Sequence, residues 1–269
     1  MKIGILTSIE TRHQYFAQRL GEALDVVAVA YEETGYAPSK MVGTDLTRDE
    51  TKIVLHHFAE RTRMEELMLG QPAGFLDETE TRRVRFLKPG ELNTESTLSW
   101  LRDAQVACLV VYGTNLIKPP LLGAWPERTV NLHLGLSPYY RGTATNFYPL
   151  VNGEPQYVGA TIHLIDEGID SGPILRHVRP EIVDDDMPHT IGCKAIIAGV
   201  DAMIDSLRAL EQGSLKPVAQ WEEPSAKVYL RKDYHPRHVV QLYQKLKEGL
   251  IPRYVKNGPP TSRVPKLVS

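Results

Sequence analysis

The sequence has few of the features that mark disulfide-bonded, membrane-spanning or nucleic-acid-coating proteins. Cys108 and Cys193 are its only cysteines, too few for a disulfide framework or a zinc knuckle. No apolar run approaches the roughly 18 residues of a spanning helix, and the first ten residues do not resemble a signal peptide. The 31 basic and 33 acidic residues give a net charge of −2, which does not favour bulk binding to nucleic acid or to an anionic membrane. We therefore expect a cytoplasmic protein with neither a membrane nor a nucleic-acid partner.

The hydrophobic pattern predicts an α/β fold. Residues 3–7 and 25–30 are short apolar runs typical of buried strands, and residues 11–24 between them have helical spacing. No G-x-G-x-x-G follows the first run, so the fingerprint of dinucleotide binding is absent. Further strands are predicted at 106–112, 129–134, 158–165 and 173–182, and further helices at 51–68, 96–103 and 190–210. We predict a Rossmann-like, mostly parallel sheet with helices on both faces.

Two regions are predicted from length and composition. Residues 1–213 form the main domain, which ends after a long helix with Gly213 as its stop. Residues 214–269 form a small C-terminal extension with one amphipathic helix, which has Pro236 near its start and Gly249 near its end. The last 13 residues are either a surface arm or disordered.

A histidine pair, His56 and His57, lies on the predicted helix 51–68, with Glu60 close behind. A metal site needs further ligands at known spacing, and the sequence offers none. We therefore interpret the pair as part of a solvated helix face and predict no metal site.

The residues that carry chemistry are Asn131 and His133, in the segment NLHLGLSPYYRG, and Asp170, in the later segment IDEGIDSGPI. Residues two apart on a strand point to one face, so the Asn131 amide and the His133 imidazole should project together at a strand end. Asp170 lies between two glycines in a loop after the predicted strand 158–165 and could reach the imidazole. Residue types alone leave a simple turn-forming aspartate as the alternative.

NLHLGLSPYYRG followed by VGATIHLIDEGIDSGPIL resembles the signature of the 10-formyltetrahydrofolate-dependent formyltransferases. That family includes methionyl-tRNA formyltransferase, glycinamide ribonucleotide transformylase and the nucleotide-sugar N-formyltransferases. The resemblance is close over residues 106–182 and fits the layout of residues 1–210. It implies an enzyme that moves a formyl group from 10-formyltetrahydrofolate to an amine without a metal. It also implies Asn131, His133 and Asp170 as the catalytic residues, with Asp170 orienting the imidazole and raising its pKa.

The resemblance further implies a folate pocket. Its walls follow the predicted strand 106–112, and the loop 166–170 closes over the pterin; the residues concerned are Tyr112, Gly113, Asn115, Leu116, Ile117, Asp166 and Gly168. His163 matches a histidine of the purine-pathway branch. Many members have a serine two residues after the catalytic histidine, where this chain has Gly135, so we expect a side-chain contact to be lost there.

The acceptor amine is less determined. A small extension and a slightly acidic chain favour an amino sugar on a nucleotide, and the basic segment KVYLRKDYHPR (227–237) is either a solvated surface or a nucleotide contact. Another small amine and methionyl-tRNA are alternatives, as are a formyl-folate hydrolase and an inert folate-binding module. A homodimer through the C-terminal amphipathic helix is also left open.

Overall fold

The computed structural model of this protein describes residues 1–33, 45–71, 77–79 and 82–269. A sheet of seven strands forms its centre, in the spatial order β3-β2-β1-β4-β5-β7-β8. The strands are β1 (Ile3–Thr7), β2 (Val26–Glu32), β3 (Arg83–Leu87), β4 (Cys108–Tyr112), β5 (Thr129–His133), β7 (Ala160–Leu164) and β8 (Ile174–Val178). Two strands of three residues, β6 (Tyr140–Gly142) and β9 (Lys227–Tyr229), form a separate ribbon.

The helices are α1 (Thr11–Ala23), α2 (Arg48–Leu69), α3 (Glu95–Asp103), α4 (Tyr148–Asn152), α5 (Pro188–Glu211), α6 (Arg237–Lys247) and α7 (Leu250–Asn257). The starts of α2 and α3 are fixed by threonine caps: Thr47 accepts from the N–H of Glu50, and Thr94 accepts from the N–H of Thr97. Among the described residues, no helix is long and apolar enough to cross a membrane.

The sheet is mostly parallel, as predicted. β1 pairs in parallel with β2 and β4, and β4 with β5, whereas β7 runs antiparallel to both β5 and β8. Alternating side chains of β1 enter opposite layers. Ile5 packs in the core that contains Phe16 of α1 and Met203 of α5, while Leu6 packs in the core that contains Leu98 of α3. Helices therefore cover both faces, which confirms the predicted fold class.

The predicted solvated face of α2 is wrong for His57. Its side chain is buried, with its ring centroid 4.4 Å from that of His189 on α5, whereas His56 is exposed. The reason is long-range packing: Val54 and Phe58 on the same face of α2 meet Val239 of α6 in one apolar cluster. A polar local sequence does not reveal that a helix will be covered on two sides.

Residues 214–269 pack closely on the rest of the chain. Leu242 and Ile251 share an apolar cluster with Leu150 and Ile191. This region contains two helices, α6 before Gly249 and α7 after it, whereas one helix was predicted. The final segment is a surface arm, because the main chain of Val268 exchanges hydrogen bonds with His177 of β8. A domain division at residue 213 stays a prediction.

Candidate active site

The Asn131 and His133 side chains stand on β5, at the junction between the parallel and antiparallel parts of the sheet. β5 pairs in parallel with β4, where Val111 lies opposite Asn131, and antiparallel with β7, where His163 lies opposite Asn131. Asn131 is half-buried and His133 is buried. The i, i+2 spacing therefore places the two polar side chains on one face at the strand's end, as the sequence predicts.

Asp170 reaches these side chains from the loop between β7 and β8. Its φ of 46° is in the left-handed region, where aspartate is better tolerated than most residues. Two contacts hold this turn: Gln220 donates through Nε2 to the carbonyls of Asp170 (2.8 Å) and Gly172 (2.9 Å). Gln220 belongs to the C-terminal segment, so residues far along the chain support the loop.

The structure brings the three predicted catalytic side chains together. Oδ2 of Asp170 lies 3.3 Å from Nδ1 of His133, and Oδ1 accepts a hydrogen bond of 3.2 Å from Nδ2 of Asn131. The N–H of Gly142 also donates to Oδ2, at 2.9 Å. The carboxylate thus receives N–H donors from two strands, β5 and β6, and orients the Asn131 amide; it pairs with His133 when the imidazole is protonated.

His163 uses the second N–H of the Asn131 amide. Its Nδ1 lies 2.8 Å from the carbonyl oxygen of Leu164, and a carbonyl only accepts, so Nδ1 carries the proton. Nε2 therefore accepts from Nδ2 of Asn131, at 3.0 Å. Both amide hydrogens of Asn131 are engaged, one by Asp170 and one by His163.

The protonation state of His133 follows from its surroundings. Nε2 lies 3.0 Å from the carbonyl oxygen of Tyr140 and so carries the proton. Burial lowers the pKa of His133, and the nearby Arg141 guanidinium also lowers it; the Asp170 charge and the Tyr140 carbonyl raise the pKa but do not compensate. Asp170 therefore raises the pKa of His133, as expected, but the net pKa is lower than that of a free histidine, because burial has the larger effect.

Asp170 is ionised. Burial alone would raise the pKa of Asp170, but the His133 and His163 imidazoles and the N–H of Gly142 together hold it well below its usual range. At neutral pH the site accordingly contains a carboxylate, a neutral Nε2–H imidazole and an amide. The imidazole keeps a lone pair on Nδ1, facing Asp170.

Gly135 does not leave a gap where many family members carry serine. A Cβ at Gly135 would lie 2.6 Å from Cβ of Thr145 and 2.7 Å from Nε2 of His133, both closer than real contacts allow. Thr145 is buried there and donates its hydroxyl to the carbonyl of Leu134. Thr145, ten positions later, therefore occupies the space beside Gly135, while the loss of the contact that a serine would make stays a prediction.

The ribbon of β6 and β9 supports the site from the C-terminal side. Tyr140, whose carbonyl accepts a hydrogen bond from Nε2 of His133, pairs with Lys227, and the Tyr140 hydroxyl donates to the buried Glu154. Glu154 also accepts from Lys227 Nζ (2.7 Å) and Arg263 (2.9 Å). A buried carboxylate with three donors is costly to disturb, so this network fixes the position of β6.

The predicted folate-pocket residues begin one step beyond Val111, the neighbour of Asn131. The rings of Tyr112 and His13 are 4.7 Å apart in the core, and a side chain at Gly113 would collide with His13. Asn115 is held by Glu32, through its N–H at 2.8 Å and its amide at 2.9 Å. Ile117 is buried and Leu116 is 57% exposed.

In the loop before Asp170, the Asp166 carboxylate accepts from the N–H of Gly168 (3.0 Å) and from Oγ of Ser171 (2.9 Å). This arrangement closes the loop on itself. The folate-binding roles of both segments stay predictions. In the described ranges, no group of three or more His, Cys, Asp or Glu side chains could hold a metal ion.

Comparison with known proteins identifies the family. The sequence profile described as formyl transferase matches residues 41–207, more than half of the chain. The chain belongs to the formyl transferase family. It is 31% identical over 167 residues to the methionyl-tRNA formyltransferase of Thermodesulfovibrio yellowstonii, an alignment that covers 62% of this chain and 49% of the relative. The chain spans about half the length of the curated relatives it matches.

Solved formyltransferases share the fold of this family member. A sugar N-formyltransferase from Shewanella superposes with a TM-score of 0.54 and 16% identity, over 87% of this chain and 78% of that chain. The phosphoribosylglycinamide formyltransferase of Anaplasma phagocytophilum superposes with a TM-score of 0.55 and 14% identity, over 86% and 97%. At these identities the likeness establishes the fold and leaves the acceptor open.

Proposed function

We propose that this protein moves the formyl group of 10-formyltetrahydrofolate to a primary amine, and that the amine belongs to an amino sugar attached to a nucleotide. The observation that carries the proposal is the convergence of Asn131, His133 and Asp170, with contacts of 3.2 and 3.3 Å to the one carboxylate. Membership of the formyl transferase family supports the reaction class.

The residues present fit a formyl group carried on an uncharged nitrogen. A neutral amide and a neutral imidazole meet at the strand end, and the exposed Leu116 offers apolar surface after the adjacent strand β4. 10-Formyltetrahydrofolate supplies an activated formyl group, and its nitrogen leaves with a proton. The acceptor amine gives up one proton, so the reaction balances if a protein group carries that proton between the two nitrogens.

His133 is that group in our proposal. Its neutral form has a lone pair on Nδ1 beside Oδ2 of Asp170. A water held by that carboxylate would pass a proton from the attacking amine to Nδ1 and return it to the departing folate nitrogen. The resulting imidazolium would lie between two oxygen acceptors, the Tyr140 carbonyl and the Asp170 carboxylate. Asp170 therefore stabilises the transient charge, because the imidazolium donates to it through Nδ1.

Asn131 stabilises the negative charge that develops on the formyl oxygen. Its amide hydrogens contact Asp170 and His163 in the absence of substrate, so one contact must be exchanged for the formyl oxygen. The bond to Asp170 is the longer of the two, and the carboxylate would keep the N–H of Gly142 as a donor. A preorganised donor of this kind typically lowers the barrier by roughly 3–4 kcal/mol.

The nucleotide-linked amino sugar is favoured over methionyl-tRNA by charge. Tight binding of a polyanion requires several phosphate contacts, whereas the chain has a net charge of −2. In the basic segment, Lys227 is bonded to Glu154, and Arg237 lies 3.7 Å from Asp45 and 3.9 Å from Glu50. Those two cations are partly neutralised, which weakens the prediction that the segment binds a nucleotide.

Other predictions about the setting remain proposals. We keep the cytoplasm as the compartment. The apolar face of α6 is unsuited to the predicted dimer contact because Val239 and Leu242 are buried within the same chain. A homodimer would need a different surface.

The test is an acceptor screen. The purified protein is incubated with 10-formyltetrahydrofolate and, separately, with nucleotide-linked amino sugars, small amines and methionyl-tRNA, and products are analysed by mass spectrometry. We expect a formylated nucleotide-linked amino sugar. Formylation of only another class would replace the proposed acceptor, and release of formate in every reaction would indicate a hydrolase. No turnover of the folate under any condition would contradict the proposed activity.

A further inference from the structure

Arg141 is a cation beside the site that has no protein partner among the described residues. It lies on β6 between Tyr140 and Gly142. The Tyr140 carbonyl accepts a hydrogen bond from Nε2 of His133, and the N–H of Gly142 donates to Asp170. Its Nε is buried without a hydrogen-bond partner, and no carboxylate in the described part of the chain lies within ion-pair distance of its guanidinium. The Arg141 charge is close enough to lower the pKa of His133. A buried, unpaired N–H of a cation is unfavourable unless a ligand satisfies it.

The guanidinium lines an open cavity of about 500 Å³. Its other lining residues include Pro138, Ser171, Gln220, Trp221, Glu222 and Glu223. Ser171 follows Asp170 directly, and Gln220 donates to the carbonyl of Asp170, so the cavity adjoins the triad. The cavity therefore lies against the loop that carries Asp170.

Neither of the two carboxylates that line the cavity has a described ion pair with Arg141. Glu223 is occupied by its own turn, where it accepts from the N–H (3.1 Å) and the hydroxyl (2.5 Å) of Ser225. Glu222 is exposed to solvent and has no described contact with Arg141. Nζ of Lys266 lies 4.6 Å from the centre of the Trp221 ring and adds a second positive charge nearby.

We propose that this cavity binds the diphosphate of a nucleotide-linked acceptor, with Arg141 as its charged contact and Trp221 as an apolar wall. The inference rests on the proposed function and names the part of the chain that recognises the acceptor. A planar guanidinium pairs with phosphate through two N–H groups, which suits a half-buried position better than an ammonium would. None of the seven residues that the resemblance assigns to folate lines the cavity, which favours the acceptor over the glutamate tail of the folate.

Direct binding tests the inference without turnover. Isothermal titration measures the affinity of the wild type for UDP, dTDP and GDP, for uridine as the phosphate-free probe, and for 5-formyltetrahydrofolate as the folate probe. The variants are Arg141→Gln, Arg141→Lys and, as a matched control, Arg102→Gln, an exposed arginine on α3 outside the cavity. Far-UV circular dichroism and thermal melts of each variant establish that it is folded.

The wild type should bind at least one of these nucleotides more tightly than uridine. Arg141→Gln should weaken that binding by on the order of tenfold or more, Arg141→Lys by less, and Arg102→Gln not at all. Affinity for 5-formyltetrahydrofolate should be unchanged. The inference is overturned if the wild type binds no nucleotide, if Arg141→Gln binds it as well as the wild type, or if only the folate affinity falls. Failure of the proposed function is distinguishable, since it would appear as no folate turnover by the wild type whatever the nucleotide result.

Discussion

Nε2 of His133 lies 3.0 Å from the main-chain carbonyl oxygen of Tyr140, and this one contact fixes which nitrogen of the imidazole carries the proton. Tyr140 belongs to β6, which pairs with β9 from the C-terminal segment. The segment after residue 213 is therefore connected through the backbone to the protonation state of His133. Without that contact the ring could adopt either tautomer, and Nδ1 would not be reserved for a proton from the substrate.

Asp170→Asn should change the pH dependence of turnover. Asp170 raises the pKa of His133 against the effect of burial, so its removal lowers that pKa further. The acidic limb of the profile of kcat/KM reports the neutral base of the free enzyme and should move to lower pH. The maximal rate should fall on the order of 10², because the imidazolium loses its counter-charge.

The matched control for this experiment is Asp184→Asn, which removes an exposed carboxylate outside the site. It should reproduce the wild-type profile. An Asp170→Asn profile with an unshifted acidic limb would remove Asp170 from the role described here.

Gly135→Ser should damage the site through crowding. The new side chain would meet Thr145 and Nε2 of His133 at less than contact distance, so one of them must move. We expect a loss of about 1–3 kcal/mol in the free energy of unfolding and a reduced kcat. The double variant Gly135→Ser/Thr145→Gly should recover part of both, because it removes both Cβ and Oγ1 of residue 145, the two atoms of that residue that the new side chain would meet. A single variant as stable and active as the wild type would disprove this account of the packing, as measured by urea unfolding and initial rates.

Lys227→Met should weaken the support of β6. Glu154 would keep Tyr140 and Arg263 as partners but lose its 2.7 Å contact with a cation, in a position where its own side chain is only 11% exposed. The expected loss is about 1–3 kcal/mol in the free energy of unfolding, measured by urea titration. Lys232→Met, an exposed lysine a few residues on, is the control and should be neutral. Equal stability of the two variants would show that the network contributes little.

The protein should lose stability in mild acid because of a buried histidine pair. Burial lowers the pKa of His57 to about 3 and that of His189 to about 4, and the neighbouring Arg61 adds to both effects. The unfolded chain takes up these protons near pH 6.5, whereas the folded chain does not. Stability is therefore complete above pH 6.5 and falls as the pH drops toward 4, by about 1.4 kcal/mol per pH unit for each histidine.

Urea unfolding between pH 7 and pH 4.5 measures this dependence. His57→Gln should reduce the slope by about 1.4 kcal/mol per pH unit, while His56→Gln, on the exposed side of the same helix, should not. If His57→Gln showed the same slope as the wild type, the prediction would fail, because His57 would then take up its proton in the folded state as readily as in the unfolded chain.

The strands and helices that bury a regular apolar pattern could be predicted from the sequence. β1, β4 and β5 are such runs, and α1 and α5 have clear apolar stripes, so the central sheet and its layers followed from periodicity. β3 was not predicted, because it is an edge strand in which Arg83 and Arg85 interrupt the apolar residues and leave no continuous apolar run. β6 and β9, three residues each, depend on a partner nearly ninety positions away and leave no local signal.

The site was predictable where chemistry and strand geometry coincide. Asn131 and His133 share a face by spacing alone, and Asp170 was joined to them by resemblance. Gln220, Thr145 and the Tyr140 carbonyl could not be found in the same way, since main-chain acceptors and space-filling residues have no characteristic spacing. Arg141 was visible in the PYYRG motif, but its lack of a partner required three-dimensional packing.

The central claim is that Asn131, His133 and Asp170 act together in formyl transfer. The most direct measurement is the rate of product formation, by mass spectrometry, for the wild type, Asn131→Ala and His133→Ala with the acceptor identified in the screen, after circular dichroism has shown each variant to be folded. We predict that either substitution lowers the rate by on the order of 10² or more. Near-normal turnover in a folded Asn131→Ala or His133→Ala protein would contradict it.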